Sequence, residues 1–463
     1  MRRALDALVG WLCRRLLLLF FRRVEVVRRD RLPERGPLVV VANHTNGLVD
    51  PMFVLGPLRL PARMLGKSTL WKIPVLAQIL DLAGVLPVVR RQDTPGEAGE
   101  RNRETFARCH QELARGGVVA IFPEGTSHDQ PHLLPLRTGA ARIALEAELE
   151  RGPVGVRILP VGLVFEERGR FRSRALVVVG ESLDPAPEIA LARADEHAAV
   201  HALTARIAAA LERVTLNYTS WREARLIEVG AEIFDRDTEA PAARRRLATE
   251  FHTRKALSTS FEELRRRFPA ELEAAVAAAE RYDGLLRTAG LTDEQVSSDV
   301  EWRPALAFAA RTTLRICVAS PLAIAGTLAN LPPFALAALV ARRVRDEPNQ
   351  IATYKLFPSL VLYPATWIGE GVLAGWRFGA WAGLAAAVLA PISGFVALRW
   401  HERRATLWRE SRAFLLLRTR RRVAREFRAR RAAVAREIAR LVDLWVASQG
   451  ERGEPARGPV EGD

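Results

Sequence analysis

Four short stretches of the chain bring together side chains suited to acid–base and anion-binding chemistry. The first, Asn43-His44-Thr45-Asn46-Gly47-Leu48-Val49-Asp50-Pro51, directly follows the apolar run Leu38–Ala42. His44 and Asp50 are six residues apart, about 240° around a regular helix, so a helix would hold them apart. A turn would bring them together. Asn46-Gly47 supplies turn chemistry, and Pro51 biases Asp50 away from the helical region. Held on a turn, Asp50 would fix the imidazole tautomer and stabilise its protonated form, and His44 would take a proton from a hydroxyl near neutral pH. Taken alone, the pair fits equally a helix-capping Asp beside an incidental His.

The second stretch, from Gly84 to Arg91, reads as a short strand ending in two arginines. Arg90 there offers a bidentate contact to phosphate, or is a solvated strand end. The third follows the apolar run from Val118 and reads Phe122-Pro123-Glu124-Gly125-Thr126-Ser127. It sets a carboxylate, a flexible glycine and two hydroxyls at another strand end, suited to a polyol or its phosphate. A tight turn with a surface Glu is the plainer reading. The fourth, Ile158-Leu159-Pro160-Val161, is an apolar strand whose Pro160 lines a site or marks a sheet edge.

The elements that must position these groups are legible between residues 24 and 188. Short apolar runs at 38–42, 84–89, 118–122, 158–165 and 175–179 read as strands. Helical stretches such as 101–115 and 138–150 separate several of them, which implies an α/β domain with a mixed, mostly buried sheet flanked by helices. Before it, residues 1–23 fit an amphipathic helix lying on a membrane, or a helix packing on its own domain, with Leu5, Leu8, Val9, Leu12, Leu16 and Leu19 apolar and Arg at 2, 3, 14 and 15. Residues 189–310 read as a charged helical region without motif residues. Residues 311–400 carry apolar segments at 316–341, 356–376 and 378–398, each long enough for a membrane. The first is one kinked span or two re-entrant halves broken at Pro332-Pro333. An Arg-rich helical tail occupies 401–463.

Composition narrows the class. The chain has 463 residues, a net charge of +16 and three cysteines. Cys13, Cys109 and Cys317 match no zinc spacing and build no disulfide framework. The basic residues are almost all arginine, with lysine only at 67, 72, 255 and 355. The charge suits an anionic partner, and the Arg-rich tail directly after an apolar segment reads as juxtamembrane rather than nucleic-acid binding. Gly66-Lys67-Ser68 lacks the earlier glycine of a phosphate loop, since position 61 is proline. His128 and His132 are separated by Pro131 and have no third ligand, so no metal is expected. No Gly-x-Ser-x-Gly elbow is present.

In this order and spacing, the four stretches resemble the blocks of the glycerolipid acyltransferase superfamily, which includes lysophosphatidate and glycerol-3-phosphate acyltransferases. Asn43-His44 with Asp50 is similar to its first block, Gly84 to Arg90 to its second, Phe122-Pro123-Glu124-Gly125-Thr126-Ser127 to its third and Leu159-Pro160-Val161 to its fourth. Arg137-Thr138-Gly139 resembles the basic segment after the third block. Most members have four residues between His and Asp; here there are five, Thr45 to Val49. The resemblance covers roughly residues 35–185.

The resemblance implies that His44, oriented by Asp50, deprotonates an acceptor hydroxyl, which attacks the thioester of acyl-CoA or acyl carrier protein. Arg90, Phe122, Pro123, Glu124, Gly125, Thr126, Arg137 and Pro160 would form the substrate site. The implied acceptor is 1-acyl-glycerol-3-phosphate, giving phosphatidate, with glycerol 3-phosphate or dihydroxyacetone phosphate as the alternative. No cofactor, metal or nucleic acid is implied; membrane lipids are. A membrane scaffold with an acyltransferase-like domain is the non-enzyme alternative. A cytosolic donor would put the catalytic domain and the Arg-rich tail on the cytoplasmic side. The simplest arrangement is then a hairpin over 356–398, with 316–341 re-entrant or interfacial.

Overall fold

A computed structural model describes residues 2–34, 36–89, 98–238, 246–298, 301–343, 347 and 349–450. The chain forms two compact units. The first comprises Met1–Ser220, Arg246–Phe251 and Asp346–Thr353, and the second comprises Trp221–Arg245, His252–Arg345 and Tyr354–Asp463.

The first unit opens with α1 (Arg2–Phe20) and β1 (Arg23–Val27), followed by β2 (Leu38–Ala42), α2 (Asp50–Leu55), β3 (Ala62–Lys67), α3 (Pro74–Ala83) and β4 (Leu86–Val88). It continues with α4 (Ala98–Ala114), β5 (Val118–Ile121), α5 (Gly139–Arg151), β6 (Arg157–Phe165), β7 (Arg174–Val179), α6 (Ala186–Ala192) and α7 (Glu196–Val214). Its seven strands form one sheet in the order β1-β7-β6-β2-β5-β3-β4. All neighbours are parallel except β6 and β7. The sheet is therefore mixed, as expected. β2 is buried along its whole length and β7 nearly so, because helices cover both faces and the strands must be apolar on both sides. β1 and β3 carry weak sequence signals, since Arg23 and Glu25, and Arg63, Gly66 and Lys67, interrupt their apolar pattern.

Two close backbone approaches fix helices onto this frame. A Cβ on Gly162 of β6 would lie 1.8 Å from the Val214 carbonyl at the end of α7. One on Gly56, just after α2, would lie 2.7 Å from the Arg14 nitrogen of α1. α1 buries Leu17 and Phe20 but leaves Leu8, Trp11, Leu12, Leu18 and Leu19 exposed.

The second unit is helical: α8 (Trp221–Thr238), most of α9 (Leu247–Arg267), α10 (Pro269–Ala289), α11 (Asp293–Ser297), α12 (Trp302–Ala329), α13 (Leu331–Arg342), most of α14 (Ile351–Phe378), α15 (Ala380–Thr419) and α16 (Arg421–Gly450). By length and composition, α12 and α15 are apolar enough to cross a membrane. Both expose long apolar side chains, among them Val318 and Leu328 on α12 and Leu384 and Leu389 on α15. They cross where a Cβ on Gly326 would meet the Ser393 carbonyl at 2.2 Å, the small-residue contact that lets membrane helices approach. The apolar stretch 316–341 breaks between α12 and α13, at Asn330. Its amide donates to the carbonyls of Gly326 and Ala390 and accepts from the Trp367 indole. The break lies just before Pro332-Pro333, as their missing N–H groups require.

Candidate active site

The register aligns the strand ends that carry the chemistry. Val41 of β2 pairs with Ile121 of β5 on one side and Pro160 of β6 on the other. The segments leaving β2 and β5 therefore emerge side by side at the carboxyl edge of the sheet, where α/β folds place their sites. Asn43 seals the end of β2 by donating to the Leu163 carbonyl and accepting from the Leu163 N–H, at 3.0 and 2.7 Å.

From there the chain runs extended to Asn46 and tightens into a 3-10 turn, Gly47–Val49, that leads into α2. Gly47 has φ +47°, a conformation that glycine reaches without Cβ strain. Asp50 stands at the start of α2 and is fully buried. Its Oδ2 accepts from His44 Nδ1 at 2.9 Å and from the N–H groups of Thr45 and Asn46 at 2.8 and 2.7 Å. Its Oδ1 has no hydrogen-bond partner among the described residues. The turn expected from Asn46-Gly47 is present, but Pro51 does not push Asp50 out of the helical region: Asp50 has φ −58° and ψ −45°. Three donors on one oxygen outweigh the steric bias of a following proline.

With Nδ1 donating to Asp50, the lone pair that can take a proton lies on Nε2. The imidazole also stacks on Phe122, with ring centroids 4.3 Å apart and planes 16° apart. Glu124, expected to hold substrate, instead has both carboxylate oxygens engaged inside the protein. Oε1 accepts from the His44 N–H at 2.7 Å, while Oε2 accepts from the Leu134 N–H at 2.8 Å and meets the His128 imidazole. Only 2% exposed, Glu124 ties the segment after β5 to the segment after β2 and so positions His44.

The remaining expected residues fall in three groups. Pro123, Gly125 and Thr126 share one turn after β5, and Arg137 packs against it. The Gly125 N–H donates to Phe122, the Arg137 N–H donates to Pro123 at 2.7 Å, and a Cβ on Gly125 would meet Arg137 Cγ at 3.2 Å. Arg137 is exposed, so its guanidinium is open to a ligand. Arg90 lies outside the described residues. Pro160 does not line the site: it is buried in β6, an interior strand, and its carbonyl accepts from Gly180. The expected sheet edge is also absent. A proline is tolerated here because its nitrogen faces the point where the ladder to β7, which starts at Val161–Val179, has just ended.

Two contributors carried no sequence signal. Arg168, after β6, reaches the carbonyls of Thr45 and His128 at 3.4 and 3.3 Å and pairs with Asp129. Burial lowers its pKa, while the charges of Asp129 and Asp50 act to raise it. The other is the segment just before and into α14. Thr353 Oγ1 accepts from the Leu48 N–H at 3.1 Å, and the amides of Asn349 and Gln350 donate to Ser127 Oγ at 2.9 and 3.2 Å.

Comparison with known proteins finds matches in both halves of the chain. Residues 23–164 match the acyltransferase family, and residues 243–446 match the glycerol-3-phosphate acyltransferase 2 C-terminal domain. The chain is 44% identical over 82 residues to glycerol-3-phosphate O-acyltransferase 2 of Saccharomyces cerevisiae, covering 18% of this chain and 11% of that protein. Glycerol-3-phosphate O-acyltransferase 1 of the same organism is 27% identical over 294 residues, 58% of this chain and 37% of that protein. The human 1-acyl-sn-glycerol-3-phosphate acyltransferase beta is 28% identical over 149 residues, 32% of this chain and 51% of that protein. The matches thus span about half or less of these relatives' length. With the first and third blocks side by side at one sheet edge, residues 23–164 match the acyltransferase family, and the chain is similar to glycerol-phosphate acyltransferases in both halves.

Proposed function

We propose that this chain is a membrane-bound O-acyltransferase that moves a fatty acyl group from acyl-CoA or acyl carrier protein to a hydroxyl of a glycerol phosphate. The 2.9 Å bond from His44 Nδ1 to the buried Asp50 carboxylate carries this reading. His44 Nε2 takes the proton of the acceptor hydroxyl as its oxygen attacks the thioester carbon. Collapse of the tetrahedral intermediate breaks the C–S bond, and the imidazolium returns the proton to the departing thiolate. Arg137, the Gly125–Thr126 turn and Arg90 hold the phosphate, while Phe122 and Glu124 hold the base. The route uses no cofactor beyond the acyl donor. General-base catalysis supplies about 10²–10⁴-fold, and positioning of donor and acceptor supplies the rest.

The blocks alone leave 1-acyl-glycerol-3-phosphate, glycerol 3-phosphate and dihydroxyacetone phosphate as acceptors. We favour glycerol 3-phosphate over its 1-acyl derivative, because the match over residues 243–446 is to a domain named for glycerol-3-phosphate acyltransferase 2. The test is transfer of labelled acyl groups by detergent-solubilised full-length protein. Glycerol 3-phosphate and lysophosphatidate are offered separately, with acyl-CoA and then acyl carrier protein as donor, beside His44→Ala. Transfer to glycerol 3-phosphate that falls at least 100-fold in the variant is the expected result. A preference for lysophosphatidate would reverse the acceptor assignment. No transfer by folded wild type to either acceptor would favour the scaffold reading.

For the membrane, we propose a re-entrant pair followed by a hairpin. In α12 the stretch after Arg315 is uncharged only over 316–329, about 21 Å, and the 12 residues of α13 reach about 18 Å. These stretches are each shorter than a hydrocarbon core of ~30 Å, although α12 as a whole is long and apolar enough to cross one. The uncharged part of α15, 380–398, and the stretch 356–376 of α14 reach about 28 and 31 Å and turn at Gly379. Contact of Thr353 with Leu48 supports this topology, because the segment between the two pairs must lie on the catalytic side. The catalytic unit and the Arg-rich tail then both face the cytoplasm, where the acyl donor is.

A further inference from the structure

We infer that residues 349–353 form a positioning strap for the catalytic turn, with the Thr353 hydroxyl as its cap; this rests on the acyltransferase reading of His44 and Asp50. The Gly47–Val49 turn precedes Asp50 and begins with an unmet need. Its first N–H groups have no partner inside the turn, and the residue at its N-cap, Asn46, makes no side-chain capping bond. A local Ser, Thr or Asp ordinarily supplies that oxygen. Here it comes from Thr353, 305 residues away, which accepts the Leu48 N–H at 3.1 Å.

The strap touches the site on three sides. Asn349 and Gln350 donate to Ser127 at the end of the third block, and Ile351 lies over Gly169, where a Cβ would meet Ile351 Cγ2 at 3.1 Å. At Gly47 a Cβ would meet Gln350 Oε1 and Thr353 Oγ1, each at 2.8 Å. Gly47 is thus required by its backbone and by the strap together. Ala352 is fully buried, and Asn349 and Thr353 nearly so. The strap bridges the segment carrying Asp50 and the segment carrying Glu124, the two residues that fix His44. It acts through them and touches no reacting atom.

Thr353→Val keeps the shape and removes the acceptor, and Thr353→Ser restores it. The expected outcome for Thr353→Val is a kcat lower by roughly five- to tenfold, the range that loss of a helix cap implies. KM for donor and acceptor should stay within about twofold, because the proton-transfer geometry changes and the binding residues do not. Thr353→Ser should recover most of the loss. Because a smaller active fraction would also lower apparent kcat at unchanged KM, kcat is normalised to the folded fraction before the variants are compared. Hydrogen–deuterium exchange, independent of turnover, should show faster exchange across residues 46–50 in Thr353→Val alone. Wild-type kcat and wild-type exchange in Thr353→Val would overturn the strap, as would equal losses in the Ser and Val variants. An inactive wild type would instead refute the acyltransferase reading, and the exchange measurement would then decide the strap.

Discussion

Asp50 is the residue on which the site converges, since one of its oxygens receives an imidazole and two backbone N–H groups. Asp50→Asn keeps the size but places an amide among three donors. It should lower kcat by roughly 10²–10⁴-fold, because a neutral amide no longer stabilises the imidazolium that His44 becomes when it takes the proton. Michaelis constants measured beside kcat check this, and KM should change little. Glu124 is expected to behave differently. Glu124→Gln leaves a buried amide facing the same donors, so the fold should lose about 2–4 kcal/mol by chemical denaturation. Its kcat should fall as well, because the single amide oxygen can no longer accept from the N–H groups of both His44 and Leu134 and the tether between the two segments is broken. A Glu124→Gln protein of normal stability but raised acceptor KM would instead restore Glu124 to the substrate.

At the scale of elements, glycines set how closely helices approach the sheet. Gly162→Ala would force α7 off β6, because the new Cβ meets the Val214 carbonyl. Overpacking of this kind costs about 1–3 kcal/mol, and a lowered denaturation midpoint would show it. The β6–β7 hairpin carries a charge pair with a pH signature. Burial alone would raise the Glu166 pKa, but hydrogen bonding and charge from Arg174, with the charge of Arg22, outweigh it and leave the group below its ordinary value. A carboxyl depressed in the folded state stabilises fully above its unfolded pKa and loses that contribution as pH falls below it. Wild type should therefore lose stability between about pH 5 and 3 more steeply than Glu166→Gln. Parallel midpoint-against-pH curves would contradict this.

For the whole molecule the decisive feature is where the chain lies relative to the bilayer. In the topology proposed above, a segment that caps Leu48 shares an aqueous side with the catalytic turn, so the chain would enter and leave the membrane on the same face before residue 349. Cysteine labelling of full-length protein in sealed vesicles should find residue 347 and the start of α16 accessible from the same side as the catalytic unit. Gly379, between α14 and α15, should be reached only from the opposite side. Labelling of residue 347 from the far side would overturn the re-entrant assignment and the strap's membership of the site together.

Sequence alone determined the chemistry and the frame. The His44–Asp50 pair, the turn at Asn46-Gly47, the third-block residues and five of the seven strands are all local patterns, because a strand buried on both faces must be apolar. The apolar stretches of the second half were legible for the same reason, since a bilayer demands length and the absence of charge. Tertiary structure alone decided what holds the chemistry in place. The stacking of Phe122 on His44, the inward engagement of Glu124, the approach of Arg168 and the burial of Pro160 all depend on which strands become neighbours. So does the cap on Leu48 from Thr353. Such contacts leave no periodic trace, because a hydrogen bond needs only a matched donor and acceptor, and closing a longer loop adds little further entropy once the core has formed. Asp50 marks the boundary between the two: type and spacing allow its pairing with His44, while the bond itself and the helical backbone of Asp50 are settled by the donors that meet it.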